Sequence, residues 1–170
     1  MVLLFCAPFA RAGVIDSTAN GFTVKNSVTI VGSTPDQVYS HLVKDVGMWW
    51  SSAHTWSQNA ANLSIDDKAG GGFREKLASG GSVLHLTVVY ADPGKTLRMS
   101  GGLGPLQTLA VAGTMTWAFS KQGDGTQVEL TYTIGGYRPG GLAFLAPLVD
   151  KVLLEQLTRF KSYVEHGKPE

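Results

Sequence analysis

The stretch from Leu142 to Val164 limits what this chain can become. Leu145, Leu148, Val149, Val152, Leu153, Leu157, Phe160 and Val164 recur at intervals of three and four, and Asp150, Lys151, Glu155, Thr158, Arg159, Lys161 and Ser162 fall mostly between them. That spacing predicts an amphipathic helix of about six turns. Gly140-Gly141 before it and Gly167 after it punctuate its ends. Lys151–Glu155 and Glu155–Arg159 are opposite charges at i,i+4 on the expected wet face. A stripe this long has to be covered by the rest of the chain, and the rest of the chain reads mostly as strand.

Phe22, Val24, Val28 and Ile30 alternate with Thr23, Lys25, Ser27 and Thr29, which predicts a first strand with one buried face. Asn26 falls on the apolar side, either as a polar group lining a cavity or at a bulge or strand end. Thr34-Pro35-Asp36-Gln37 then reads as a capped helix start. Two short helices are expected, about 35–45 and 46–52, the second carrying Met48-Trp49-Trp50, followed by a loop through Trp56 to Asn62. Further strands are expected around Leu63–Ile65, Phe73–Leu77, Val83–Tyr90, Leu97–Met99, Leu109–Phe119 and Val128–Ile134. Of 21 glycines, 16 lie between Gly70 and Gly141, which suits turns and bulges among strands. Hairpin-length loops make the sheet antiparallel. The fold class is therefore α+β: a curved antiparallel sheet of about six to seven strands wrapped around a long C-terminal helix, with two short helices after the first strand. Such a sheet rarely closes fully on its helix, which leaves room for a ligand.

A chain of 170 residues is expected to form one domain. Residues 1–12 read as a cleaved export signal. Met1 to Ala10 is apolar and Ala10-Arg11-Ala12 is a small-x-small pattern, although the segment lacks an early Lys or Arg. Residues 13–170 would then be the mature domain, periplasmic or secreted. An apolar arm packed on a cytoplasmic domain is the alternative. Cleavage would remove Arg11 and Cys6, leaving 14 − 1 = 13 basic residues against 13 acidic ones and no thiol. A balance near zero gives no electrostatic case for nucleic acid, and the apolar segment is too short to span a bilayer.

Trp49, Trp50, Trp56, Met99, Met115, Trp117, Tyr132 and Tyr137 are the candidate cavity-lining residues, joined by Phe73 from its strand and by Leu145 and Val149 from the terminal helix. Aromatic and Met side chains supply area and adaptability for an apolar ligand. Tyr132 or Asn26 would be its polar handle. Glu75 shares an inward face with Phe73 and Leu77, so burial should raise its pKa and suit it to general acid/base work or ligand anchoring. The competing reading has Arg74 or Arg98 neutralising Glu75 outside the core. Simple alternation sends His85 to the solvent face and places Leu84 and Tyr90 on the apolar one. His41 reads as solvated, His54 as an exposed loop residue, and His166 as part of the tail.

No pair of these histidines has a metal-ligand spacing, so neither a metal nor a cofactor is expected. No nucleophile elbow is present. Gly102-Leu103-Gly104 begins like a dinucleotide fingerprint, but Gln107 stands where the third glycine belongs and no helix follows. The Gly101–Leu106 loop, with Leu103 and Leu106 exposed, is either a mobile lid or a plain connection.

Met48-Trp49-Trp50 after the first helix, Gly71-Gly72-Phe73-Arg74, Val88 followed by Asp92-Pro93-Gly94-Lys95-Thr96-Leu97, and the amphipathic terminal helix resemble the SRPBCC (START-like, helix-grip) superfamily. Within it the chain is most similar to the polyketide cyclase and heat-shock ATPase-activator-like branch, over about residues 20–166. The resemblance implies a helix-grip fold with a deep cavity between sheet and helix for an apolar or aromatic small molecule. Its members include lipid carriers, hormone receptors, aromatic cyclases and co-chaperones. They share no universal catalytic residue, so none is carried over. The expected function is binding of a small hydrophobic molecule in a carrier, sensor or sequestering role. The alternatives are a cofactor-independent cyclase or dehydratase using Glu75 or a Tyr hydroxyl on a polyketide-like or aromatic substrate, and a protein-interaction module.

Overall fold

The structure is a computed structural model that describes residues 13–170, so the segment read as an export signal, with Cys6, lies outside the described residues. Its strands are β1 (Val14–Thr18), β2 (Gly21–Ile30), β3 (Leu63–Ile65), β4 (Gly72–Lys76), β5 (Ser82–Asp92), β6 (Thr96–Ser100), β7 (Ala110–Gln122) and β8 (Gly125–Tyr137). The helices are α1 (Pro35–Lys44), α2 (Val46–Trp49) and α3 (Ala146–His166). All eight strands form one antiparallel sheet in the order β1-β2-β8-β7-β6-β5-β4-β3. After β2 the chain crosses to the far edge through α1 and α2, then meanders back until β8 pairs with β2.

β1 is one strand more than the alternation of residues predicts. All five of its residues are exposed, so neither face carries the apolar period that reveals a strand. In β2 every second residue is buried, as expected. Thr34 caps α1: its hydroxyl accepts from the Gln37 amide, and the Gln37 side chain accepts from the Thr34 amide at 2.9 Å.

α3 lies across β2, with Leu153, Leu157 and Phe160 fully buried. Phe160, Trp49 and Trp117 pack ring against ring, with centroids 4.9 to 6.0 Å apart. The two ion pairs expected along the wet face of α3 are not made. Glu155 turns to His54 instead, 3.1 Å away, and Arg159 Nε donates to the Trp49 carbonyl at 3.1 Å. Lys161 and Glu165 form the i,i+4 pair of this helix.

Two bulges break the alternation of β5. Phe73 pairs with Leu86 while Arg74 pairs with Leu84, leaving His85 as the extra residue. Farther on, Val88 pairs with Met99 and Tyr90 with Arg98, leaving Val89 as the second. A bulge turns consecutive side chains to the same face. His85 and Leu86 are accordingly both buried, whereas Leu84 and Tyr90, expected inside, are exposed.

Leu157 has no exposed surface and sits where α3 meets the sheet. Leu157→Ala should cost about 2 to 5 kcal/mol of stability, from lost burial plus the cavity it leaves. Urea denaturation should show the midpoint falling with little change in slope.

Candidate functional site

The N-terminal half of α3 does not meet the sheet tightly. Between them lies a cavity of about 490 Å³. Leu145, Leu148, Val149, Val152 and Leu153 form its helical wall. Phe73, His85 and Tyr132 rise from β4, β5 and β8. Trp50 and residues 53–56 close one side, and residues 103–106 close another. Trp56 and Leu148 are half exposed and mark the mouth. The stripe of α3 therefore serves two purposes: Leu157 and Phe160 pack, while the residues a turn or more earlier line open space.

Polar side chains hold the loop after α2 in place. The Gln156 side chain accepts from the Ser51 amide at 2.8 Å, and His54 Nε2 meets Glu155 at 3.1 Å. At the far end Glu75 accepts from the amides of Trp56 and Ser57. Glu75 is wholly buried, yet its carboxyl is held below the ordinary carboxylate value. Burial alone pushes it up, and the hydrogen bonds from Ser57, the Trp56 amide and His85 outweigh that. This corrects the expectation of a raised pKa: Glu75 is a carboxylate that anchors the Trp56 loop. It stands behind the cavity wall, and Arg74 is exposed on the opposite face of β4.

His85 is the site residue that alternation misplaced. It is 5% exposed, lies on the cavity wall, and its Nε2 is 2.9 Å from Glu75 Oε2. Burial lowers its pKa despite the neighbouring carboxylate, so the ring is neutral near pH 7. A carboxylate can only accept, so the ring proton sits on Nε2 and Nδ1 keeps its lone pair. Among the described residues Nδ1 has no hydrogen-bond partner.

A family profile described as polyketide cyclase/dehydrase and lipid transport matches residues 21–165. The chain belongs to this family. No protein of curated function matches it in sequence. Solved structures share the polyketide cyclase/dehydrase family fold at low identity. EF2215 from Enterococcus faecalis, a conserved protein of unknown function, superposes with a TM-score of 0.65 at 12% identity, over 94% of this chain and 80% of that one. DynU16, from the dynemicin biosynthetic locus, gives 0.60 at 20% identity over 86% of this chain, which spans only 48% of DynU16. The Aha1 dimer from Colwellia psychrerythraea gives 0.58 at 17% identity, over 86% of this chain and 98% of that one.

Within this family fold the sequence-derived candidates divide. Trp50, Trp56, Phe73, Tyr132, Leu145 and Val149 come together around the cavity. Trp49, Met99, Met115 and Trp117 are buried in the core and do not line it. Tyr137, 69% exposed, ends β8 away from the cavity. Neither expected polar handle is available to the cavity. Asn26 donates to Asp150 at 3.0 Å and lies outside the cavity. The Tyr132 hydroxyl donates to the Gly101 carbonyl and accepts from the Leu103 amide, each at 2.8 Å, and burial pushes its pKa up.

Those two bonds tether the 101–106 loop as part of the wall, with Leu106 buried and Leu103 half-buried rather than exposed. Gly113 permits the approach, since a Cβ there would stand 2.4 Å from the Gly101 carbonyl oxygen. Leu148, Val152 and Leu153 line the cavity and were legible as stripe positions on α3. Among the described residues no group of three or more His, Cys, Asp or Glu could hold a metal ion, and no helix is long and apolar enough to cross a membrane.

The two shifts act on stability in the same direction. His85 titrates in the folded protein below its ordinary 6.5, and Glu75 below its ordinary 4.5. On acidification the unfolded chain therefore binds protons first, so stability falls as pH drops below about 6.5, and falls further below about 4.5. Thermal melting from about pH 7.5 down to 4 should show a declining midpoint. The decline should be shallower in the Glu75→Gln/His85→Gln double variant, and equal slopes would count against the pair.

Proposed function

We propose that this protein holds a small hydrophobic or aromatic molecule in the cavity between the sheet and α3, in a carrier, sensor or sequestering role. The observation that carries the proposal is the cavity itself. Its roughly 490 Å³ falls within the size range of small-molecule pockets. Its wall is mostly aliphatic and aromatic, and its principal polar side chains, His54, His85 and Tyr132, are held by partners within the protein. The family description, which covers lipid transport as well as cyclisation, supports the same reading. The apolar run of residues 1–10 and the small-x-small pattern after it support a place of action outside the cytoplasm.

The Glu75–His85 pair favours one second reading, a cofactor-independent cyclase or dehydratase acting on a polyketide-like or aromatic substrate. A neutral imidazole backed by a carboxylate is the arrangement a proton-transfer step uses.

Native mass spectrometry of protein purified from its own host, followed by denaturation, should release an apolar small molecule. Val149 faces the cavity from α3 and is half-buried. Val149→Trp should fill that space, abolish co-purification and weaken binding of N-phenyl-1-naphthylamine at least tenfold, with little change in melting temperature. Unchanged probe binding in that variant would show that the cavity is not the site.

A further inference from the structure

We propose that the cavity takes a ring-containing apolar molecule that bears a hydroxyl group, and that this hydroxyl donates its hydrogen to Nδ1 of His85. The inference rests on the cavity being a binding site and adds the polar feature its occupant carries.

Three observations meet at that nitrogen. The ring belongs to the cavity wall and is itself 5% exposed. Its other nitrogen is committed, because Nε2 donates to Glu75 at 2.9 Å. Glu75 cannot readily turn away, because both of its oxygens also accept amides from the Trp56–Ser57 segment. The tautomer is therefore fixed, with the lone pair of Nδ1 left over.

Buried acceptors without a donor are rare, and each calls for a physical reason. Four buried side-chain atoms lack a partner among the described residues; three belong to Asn26, Trp49 and Gln156, which do not line the cavity. His85 alone among those four residues is on the wall. The Tyr132 hydroxyl is spent on Gly101 and Leu103, and His54 on Glu155. Glu75 acts through His85 as a positioning residue. Nδ1 itself has essentially no accessible surface in this structure, so binding requires the wall side chains beside it to part around the ligand; a hydroxyl that reaches it then bonds without competition from solvent. The rings of Phe73 and Trp50 continue the wall beside His85, with Phe73 and His85 centroids 5.0 Å apart. A flat ring carrying the hydroxyl suits that surface.

The test compares 2-naphthol with 2-methoxynaphthalene, alike in their ring system except that the ether cannot donate. By calorimetry or intrinsic fluorescence the wild type should bind 2-naphthol about tenfold more tightly, the ratio expected when a buried acceptor gains its donor. His85→Phe should bind both probes with equal affinity. The wild-type imidazole nitrogen spectrum gives a readout that needs no variant. Its Nδ1 signal should be that of an unprotonated nitrogen, and should move with 2-naphthol but not with the ether. Equal wild-type affinities with an unmoved Nδ1 signal would overturn the inference and leave the cavity reading standing. Failure of both probes to bind, with N-phenyl-1-naphthylamine indifferent to Val149→Trp, would overturn the cavity reading and the inference with it.

Discussion

An amphipathic helix laid on a curved sheet cannot be in contact along its whole length unless the sheet follows it, and α3 packs on β2 while much of its N-terminal half borders the cavity instead. Its stripe is continuous, but the environment changes midway. Leu157 and Phe160 have no exposed surface, while Leu145, Val149 and Val152 are only half-buried. Everything else about the cavity follows from that mismatch. The loop after α2 and the loop after β6 close the space the sheet leaves, and each needs polar side chains to hold it, because loops have few apolar contacts of their own.

Those polar contacts explain how the interior tolerates a carboxylate. An isolated buried charge is costly, but a carboxylate accepting several N–H donors is stabilised as the anion. Glu75 receives two backbone amides and one imidazole, so a single side chain fixes the Trp56 loop and orients His85. Tyr132 does the equivalent for the opposite loop through Gly101 and Leu103. The aromatic clusters behind them, Trp49 with Trp117 and Phe160, and Trp50 with Phe73, supply the mass against which these side chains are set.

Much of the fold was legible because most elements obey one period. The stripe of α3, the capping box at Thr34 and the alternation of β2, β7 and β8 are local signals, and each appears where the residues predict it. β1 was not legible, because an edge strand exposed on both faces has no period to show. The site was legible as a composition rather than as a map. Alternation identifies Met99, Met115 and Trp117 as inward, but inward strand positions of a helix-grip sheet face either the packed or the hollow half of α3, and nothing local separates the two. The partners of Glu75 were hidden for another reason. They are backbone amides of a loop 18 and 19 residues away, and backbone donors leave no trace in residue type. His85 was lost to one inserted residue.

That insertion has a corollary for how such a site can come and go. In β5 the imidazole is inside only because the strand is one residue longer than its partner opposite Phe73 and Arg74. Deleting Leu84 would remove the surplus and set His85 opposite Arg74, with Glu75 still opposite Val83 and the short hairpin at 77–81 unchanged. The histidine would then be carried to the outer face while Leu86 and everything after it kept their pairing. The acceptor in the cavity is thus encoded as a spacing as much as an amino acid. Chains that retain the histidine but lack the extra residue would keep the letter and lose the group, and a comparison of relatives should count strand length as well as identity at this position.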